Sequence, residues 1–578
     1  MPLTAAELLI GGGVLALLLP RIRTRLLLSR AKHPSLAGHA RIAKRLARLM
    51  PYYGYDEEEF FRADGAPFDV ASRRRDAFMR LASHLQERAP ITRRATAAME
   101  PMISDLQFIQ AYRVPFQFRD VVRRHLQLGA LSESSSDVMV RDLDGNAAYD
   151  AAGSYGLNVF GYDFYKRCID AGIERVRALG PVLGTYHPVV DENVRRLREI
   201  SRLDEVSFHM SGTEAVMQAV RLARYHTGRS RVVQFAGAYH GWWDGVQPGV
   251  GNPRPVGDVY LLKEMDDATL RVLRSRKDIA CVLVNPIQLL HPNKSAPGDA
   301  SLVTSASASR VSRDAYTAWL RQLREICAAR GIVLIFDEVF LGFRLARGGA
   351  QEYFGVAADM VTYGKTLGGG LPVGVLCGRR DIMKRFRDDR PADVCFARGT
   401  FNAHPYVMGA MNEFLRQIDA PAMRAAYDEV EETWNRRAAM LNDELEWQRL
   451  PVRVANLCSV WTVRYTTPSR YNWMFQYYLR AHGVYLSWIG SGRLIFSHAY
   501  SDADFAEVSR RFVAAAAAME DGGWWWTGPE LTNRAISRQI LREMLRARLS
   551  ARRSDRTAPR AADAAASGDT ASRHGTDR

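Results

Sequence analysis

The chain has 578 residues, 47% of them hydrophobic, so it is long enough for a sizeable core with additional segments. Its six cysteines are scattered without a C-x-x-C pair, which argues against a disulfide framework and a zinc site; we expect a reducing compartment and no metal. The net charge of +16 lies largely near the two termini, and because no nucleic-acid-binding motif accompanies it, we expect no nucleic-acid partner.

The first twenty residues form a nearly uncharged segment whose one charge is Glu7. As a helix, this segment would be about as long as the hydrocarbon layer is thick. Nine basic residues and no acid follow it: Arg21, Arg23, Arg25, Arg30, Lys32, Arg41, Lys44, Arg45 and Arg48. Because positive charge favours the cytoplasmic side, we expect a cytoplasmic protein that residues 1–20 anchor to the cytoplasmic face of a membrane. The alternatives are a poorly ordered leader and a helix docked on the protein.

Several elements are expected before residue 165. Residues 21–130 form a basic, mostly helical extension, with helices at 73–86 and 119–128. Its segment 41–50 alternates basic and apolar residues, as does a helix lying on an anionic leaflet. Residues 138–146 have the alternation and the Asp-Gly turn of a β-hairpin.

Strands and helices then alternate to about residue 415, as a mostly parallel sheet requires. The expected strand 206–210 is followed by Ser211, Gly212 and Thr213, and a helical pattern covers 214–225. A turn of small residues that opens a helix offers backbone N–H groups and a positive dipole end, which suit a phosphate. An ordinary helix cap is the alternative for these three residues.

Two residues further along the chain indicate a cofactor. Asp337 ends the apolar run 332–336, where an aspartate can hold the N–H of a pyridinium ring. Lys365 lies in the glycine-rich segment 362–372 and can form a Schiff base. This pair is what pyridoxal phosphate requires of a protein. Tyr239 and His240 follow another expected strand, and an aromatic ring there can stack on a pyridine ring.

The motifs together resemble those of the class III aminotransferases, which have the fold-type I architecture, and most closely those of the glutamate-1-semialdehyde 2,1-aminomutase branch. The resemblance covers about residues 130–515 and is carried by five stretches: 211–215, 239–241, 336–339, 364–374 and 398–400.

The resemblance implies an α/β enzyme with a large, mostly parallel domain, a small α+β domain and an added helical extension. It implies that Lys365 is the Schiff-base lysine and that Asp337 is the partner of the pyridinium nitrogen. Tyr239 would stack on the ring, and Gly212 and Thr213 would bind phosphate. The cofactor site would also include Ser211, His240 and Val339. Thr400 would reach the phosphate of the neighbouring subunit, which implies a homodimer.

The expected domain limits follow from the same resemblance. Residues 131–164 open the small domain, 165–420 form the large cofactor-binding domain, and 421–527 complete the small domain. A helix, expected at 530–549, and a disordered tail occupy 528–578.

Three departures bear on the substrate. Many ω-aminotransferases carry two acids after the strand that precedes the aspartate, whereas this chain has Asn285 and Leu290 there. Phe340 stands where those enzymes often have glutamine, and 293–313 has the composition of an insertion. These differences suit a small dicarboxylate less well; neutral drift is the alternative.

Three functions remain open. The first is an aminotransferase that passes an amino group from an amino donor to an oxo acceptor, with a lipid-like or carrier-bound substrate. The second is a glutamate-1-semialdehyde aminomutase of tetrapyrrole synthesis, which moves the amino group within one molecule. The third is a non-enzymatic scaffold, which the intact Lys365 and Asp337 disfavour.

Overall fold

The computed structural model describes residues 19–33, 36–247, 249–254, 257–287, 313–487 and 492–557. The expected anchor lies outside these ranges except for its last two residues, and the end of the expected tail, 558–578, lies outside them too. Within the described ranges, no helix combines the length and the apolar character that crossing a membrane requires.

The described α-helices, in chain order, are α1 (19–31), α2 (Ala40–Leu49), α3 (Glu57–Arg62), α4 (Phe68–Arg88), α5 (Pro90–Met99), α6 (Ser104–Tyr112), α7 (Arg119–His125), α8 (Tyr162–Val176), α9 (Val189–Ser201), α10 (Gly212–Thr227), α11 (Asp267–Ser275), α12 (Arg313–Arg330), α13 (Gly349–Phe354), α14 (Arg380–Met383), α15 (Pro405–Ile418), α16 (Pro421–Trp447), α17 (Phe475–Ala481), α18 (Asp502–Asp521) and α19 (Asn533–Thr557).

A seven-stranded sheet forms the large domain. Its strands are β4 (Glu205–His209), β5 (Arg231–Phe235), β6 (Val259–Leu262), β7 (Ile279–Val284), β8 (Val333–Asp337), β9 (Met360–Gly364) and β10 (Gly374–Gly378). Their order is β4-β10-β9-β8-β7-β5-β6, and only β10 runs antiparallel to its neighbours. The sheet is therefore mostly parallel, as expected.

The sheet is buried on both faces. Every residue of β7, β8, β9 and β10 is buried, which explains why these strands read as continuous apolar runs in the sequence. Strands β5, β7, β8 and β9 are parallel, so their carboxyl ends meet at one edge of the sheet, where ligands of such sheets bind.

Smaller sheets flank this unit. One has the order β1-β2-β3-β15, with β1 (Ser134–Ser136), β2 (Met139–Arg141), β3 (Ala147–Asp150) and β15 (Val484–Tyr485). The antiparallel pair β2–β3 is the expected hairpin. Strand β15 pairs with β3 in parallel, so this sheet joins distant parts of the chain. The others are β11 (Phe386–Arg387) with β12 (Arg390–Val394), and β13 (Val452–Leu457), β14 (Val460–Tyr465) and β16 (Leu494–Ile495).

The N-terminal extension is mostly helical, as expected, and it packs on the second part of the small domain. Arg74 of α4 is fully buried and binds both carboxylate oxygens of Asp64, at 2.8 and 2.7 Å. Its Nε donates to the carbonyl of Gly523 at 2.8 Å. The ion pair lies within the extension, and the hydrogen bond to Gly523 ties the extension to the segment that follows α18.

The C-terminal helix is longer than the sequence pattern predicts. The expected helix ends at residue 549, whereas α19 continues to Thr557. The additional turns contain arginine and alanine, which have high helix propensity even without apolar periodicity. Helix α19 contacts the extension through Glu543, which accepts hydrogen bonds from Tyr55 at 2.6 Å and from Arg470 at 2.7 Å.

Candidate active site

Asp337 lies at the carboxyl end of β8, and both of its oxygens are engaged. Oδ2 is 2.7 Å from Nδ1 of His240, and Oδ1 accepts from the Val339 N–H and the Thr362 hydroxyl, both at 3.2 Å. Asp337 and His240 are each buried. Three hydrogen-bond partners therefore fix the direction of a carboxylate that retains lone pairs for a further donor.

Lys365 follows β9 with a left-handed backbone, φ +48°. Its Nζ lies 4.7 Å from the centre of the Phe340 ring. Burial lowers the pKa of Lys365 from 10.5 to about 8; the Asp337 carboxylate opposes this change, and the Arg344 and Arg493 guanidiniums add to it. A lysine with such a pKa is partly neutral near pH 7 and can act as a nucleophile.

Helix α10 begins beside this pair. The Ser211 hydroxyl accepts from the Glu214 N–H at 3.3 Å, and the Glu214 carboxylate accepts from the Met210 N–H at 2.9 Å. The first N–H groups of a helix, here those of Gly212 and Thr213, have no intrahelical partner. The sequence therefore places an anion-binding helix start at the same edge as Asp337.

Close backbone contacts bring the predicted segments together. A Cβ on Gly212 would lie 2.6 Å from Val339 Cγ1, and one on Gly364 would lie 3.2 Å from the same atom. A Cβ on Gly241 would lie 2.6 Å from the Thr213 hydroxyl oxygen. Glycine at these positions thus lets the segments pack closely around the start of α10, which a larger side chain would prevent.

Tyr239 and Thr400 complete the predicted set. Tyr239 is 60% exposed, and partial burial of its hydroxyl followed by the Asp337 carboxylate raises its pKa. Tyr239 therefore lies within electrostatic reach of Asp337, and more than half of it is exposed. Thr400 lies in an exposed turn that precedes α15. The structure brings the other predicted residues together and leaves Thr400 at the surface of this chain.

A strained small-domain loop closes over Lys365. Ser154 and Tyr155 have left-handed φ angles of +42° and +57°. A Cβ on Gly156 would lie 2.5 Å from the Phe340 ring and 3.5 Å from Lys365 Cδ. Asp150 holds the loop, because its Oδ1 accepts the N–H groups of residues 152 and 153 at 2.9 Å each. The loop therefore covers one side of the lysine.

Arg344 is a site residue that the sequence reasoning missed. It is fully buried and donates to the Ser459 hydroxyl at 2.8 Å and to the Phe496 carbonyl at 2.6 Å. Burial lowers its pKa to about 10. Its hydrogen-bond acceptors in the described ranges are uncharged, so its positive charge remains available to the space near Lys365. No motif in the sequence signals this role.

Two more arginines, which the sequence motifs did not indicate, lie near each other and near Tyr155 of this loop. Arg113, from the extension, is buried, and its Nε has no hydrogen-bond partner among the described residues. Arg480 donates to the carbonyls of residues 486 and 487, both at 2.9 Å. Burial and then the charge of Arg113 lower the pKa of Arg480 to about 9. Tyr155 of the loop interacts with both guanidiniums.

These residues fit pyridoxal phosphate. His240 Nε2 is a buried nitrogen without a hydrogen-bond partner in the described part of the chain, on the edge that Asp337 faces. The start of α10 offers free N–H groups to a phosphate, Asp337 can accept from a ring N–H, and Lys365 supplies an amine of lowered pKa. Each part of the cofactor has a chemically suitable partner.

Comparisons with known proteins agree with this geometry. The model of the family "Aminotransferase class-III" matches residues 121–252 and 268–515. The glutamate-1-semialdehyde 2,1-aminomutase of Methanocaldococcus jannaschii is 32% identical over 351 residues, which are 57% of this chain and 75% of that protein.

Solved structures show the same fold. A structure described as a transaminase with PLP bound is 26% identical, with a TM-score of 0.56, over 68% of this chain and 92% of that one. A glutamate-1-semialdehyde aminomutase from Pseudomonas aeruginosa, at 20% identity, has a TM-score of 0.61 over 78% of this chain and 99% of that one. The fold is that of the fold-type I transaminases, and pyridoxal phosphate is the cofactor.

Proposed function

Because this chain belongs to the class III aminotransferase family, we propose that it moves an amino group to the oxo carbon of a substrate that carries an acid group. The observation that carries this proposal is the set of arginines around Lys365. Arg344 and Arg493 are close enough to lower the pKa of that lysine. Neither arginine forms an ion pair with a carboxylate of the described residues, and such cations suit an anionic ligand.

The chain's own residues have separable roles in this proposal. When bound, pyridoxal phosphate supplies an electron sink for the carbon that bears the amino group. Lys365 Nζ would move a proton between that carbon and the C4′ carbon of the cofactor, which its lowered pKa permits. Asp337 would accept a hydrogen bond from the ring nitrogen, and His240 holds Asp337 in place. Phe340 and the loop at Gly156 exclude water from the lysine.

Glutamate-1-semialdehyde aminomutase activity is the second candidate. The curated relatives of this chain carry that name, and their substrate, like the one proposed here, has a carboxylate. The long extension and the insertion-like composition of 293–313 distinguish this chain from that branch by sequence. The comparisons do not support a lipid-like or carrier-bound substrate, and buried arginines favour a charged group over an uncharged chain.

Half-reactions separate these candidates. The purified protein with its cofactor is mixed with single amino compounds, and conversion of the cofactor to its amine form is followed by absorbance. We expect conversion with acidic amino compounds and little with uncharged amines of the same length. Conversion by uncharged amines at equal efficiency would contradict the acidic substrate. Turnover of glutamate-1-semialdehyde without any second substrate would favour the aminomutase.

A homodimer is part of the proposal. Phe396 and Phe401, which flank Thr400, are exposed, as is Trp242 beside the site. Three exposed aromatic side chains in these segments suit a protein–protein interface. In a dimer, Thr400 would lie against the partner's cofactor site. We expect Phe396→Glu with Phe401→Glu to yield a poorly active monomer, whereas Trp447→Glu, at an exposed position of α16, should remain dimeric. A fully active monomer in sedimentation would contradict this.

A further inference from the structure

Three terminal helices expose apolar residues at helical spacing. In α19, Leu541, Leu545 and Leu549 are each more than half exposed, and their spacing of four places them on one face. Helices α1 and α2 each present a similar exposed set: Leu19, Ile22 and Leu26 in α1, and Ile42, Leu46 and Leu49 in α2. Single exposed apolar residues are common on proteins, but several aligned on one helix face are not. Exposing such a continuous apolar face to water costs free energy.

Basic residues accompany these apolar faces. Helix α2 contains Arg41, Lys44, Arg45 and Arg48 and no acidic residue. In α19, exposed Arg538, Arg542 and Arg546 each lie three residues before a leucine of the exposed face. The acid nearest to them, Glu543, is already bonded to Tyr55 and Arg470. In both α2 and α19, basic residues therefore accompany the exposed apolar face.

The helices are held next to each other. Arg548 of α19 donates to the carbonyl of Leu49, at the end of α2, at 3.1 Å. Helix α19 is fixed to the protein by the bond of Glu543 to Arg470, whose side chain is buried. Two amphipathic helices from opposite ends of the chain are thus joined at the last turn of α2, on a rigid support.

We propose that the exposed faces of α2 and α19, together with that of α1, bind the surface of an anionic lipid bilayer. Helices with an apolar face bordered by lysine and arginine lie in the interface of such membranes, where the apolar side chains enter the lipid and the cations contact the head groups. A nucleic acid would use the cations but leave the leucines in water. A second copy of this surface would bring like charges together.

Sedimentation with vesicles tests the surface. The full chain with its cofactor is mixed with vesicles of phosphatidylcholine, or of phosphatidylcholine with phosphatidylserine. We expect binding only to the second kind, reduced by high salt. The variant Leu541→Gln, Leu545→Gln, Leu549→Gln should bind about tenfold more weakly, because each leucine loses its burial in lipid. The control Phe68→Gln, Met440→Gln, Trp447→Gln, which also removes three exposed apolar residues, should bind as the parent does.

Other outcomes would overturn the proposal. If the triple leucine variant binds the vesicles as the parent does, another segment makes the contact. Equal binding to vesicles of phosphatidylcholine alone would also contradict the proposal. A concentration-dependent rise in mass without lipid, removed by the leucine substitutions, would assign the surface to a second copy. If RNA displaced the vesicles, and the triple leucine variant bound that RNA as tightly as the parent does, the surface would be assigned to nucleic acid. Cofactor content and amine conversion should be unchanged in every variant, so failure here leaves the proposed reaction untouched.

Discussion

The protonation state of Lys365 should control how fast the protein without cofactor captures pyridoxal phosphate. Only the neutral amine attacks an aldehyde. With a pKa of about 8 instead of 10.5, about one-tenth of the lysine is neutral at pH 7, compared with about 0.03% for an ordinary lysine. The protein environment thus raises the reactive fraction about 300-fold. We expect the capture rate to rise with pH and to level off above about pH 8.

Arg493 offers a perturbation of this rate, because its positive charge disfavours the protonated lysine. In Arg493→Gln the pKa of Lys365 should rise, so the capture profile should move to higher pH and the rate at pH 7 should fall several-fold. Capture is followed by absorbance in a stopped-flow instrument across a pH series. Arg380→Gln is the matched control, because Arg380 is exposed and pairs with Glu205 at 3.7 Å, at the start of β4 and away from the lysine.

A parent protein whose capture rate still rises at about pH 10, as with a free amine, would refute the lowered pKa of Lys365. If the parent shows the lowered pKa of Lys365 but the Arg493→Gln and Arg380→Gln variants have the same capture profile, burial would remain the cause of the lowered pKa and Arg493 would not contribute to it.

The remaining predictions concern the cofactor and the extension. Lys365→Ala should abolish the adduct that borohydride traps and nearly all turnover while the protein stays folded; turnover like that of the parent would remove Lys365 from its role. The Asp337→Asn variant should bind the cofactor more weakly, which is measured as the loss of cofactor absorbance during dialysis; normal activity of this variant would contradict the role of Asp337. Asp64→Asn should lower the free energy of unfolding by about 3–5 kcal/mol, because it leaves the buried Arg74 guanidinium without its charge partner; an unchanged denaturant midpoint would contradict this.

The elements that position the cofactor were predictable because each has a local signal. Strand β8 consists of four apolar residues followed by Asp337, and this composition predicts a buried strand. Helix α10 is indicated by the turn of small residues at its start and by the N-cap Ser211. Asp337 and Lys365 stand at the ends of buried strands, and parallel strands bring such ends to one edge. The chemistry of the cofactor could therefore be inferred before any distance was known.

The substrate side of the site was not predictable in the same way. Arg113 and Arg480 are more than 360 residues apart, and they become neighbours only because the extension packs on the small domain. Arg344 has no motif, and its importance comes from complete burial among neutral acceptors. Neither burial nor a missing carboxylate partner can be read from a sequence.

The sequence by itself determined the family, the mostly parallel sheet and the residues that suit pyridoxal phosphate, because those depend on spacing within short segments. It also showed basic, amphipathic segments near both termini. Only the tertiary structure decided that α2 and α19 meet at Leu49, that the loop at Gly156 covers Lys365, and that Arg344 and Arg493 lie near the lysine. These features depend on long-range packing, in which the free energy of burial is set by neighbours distant in the chain.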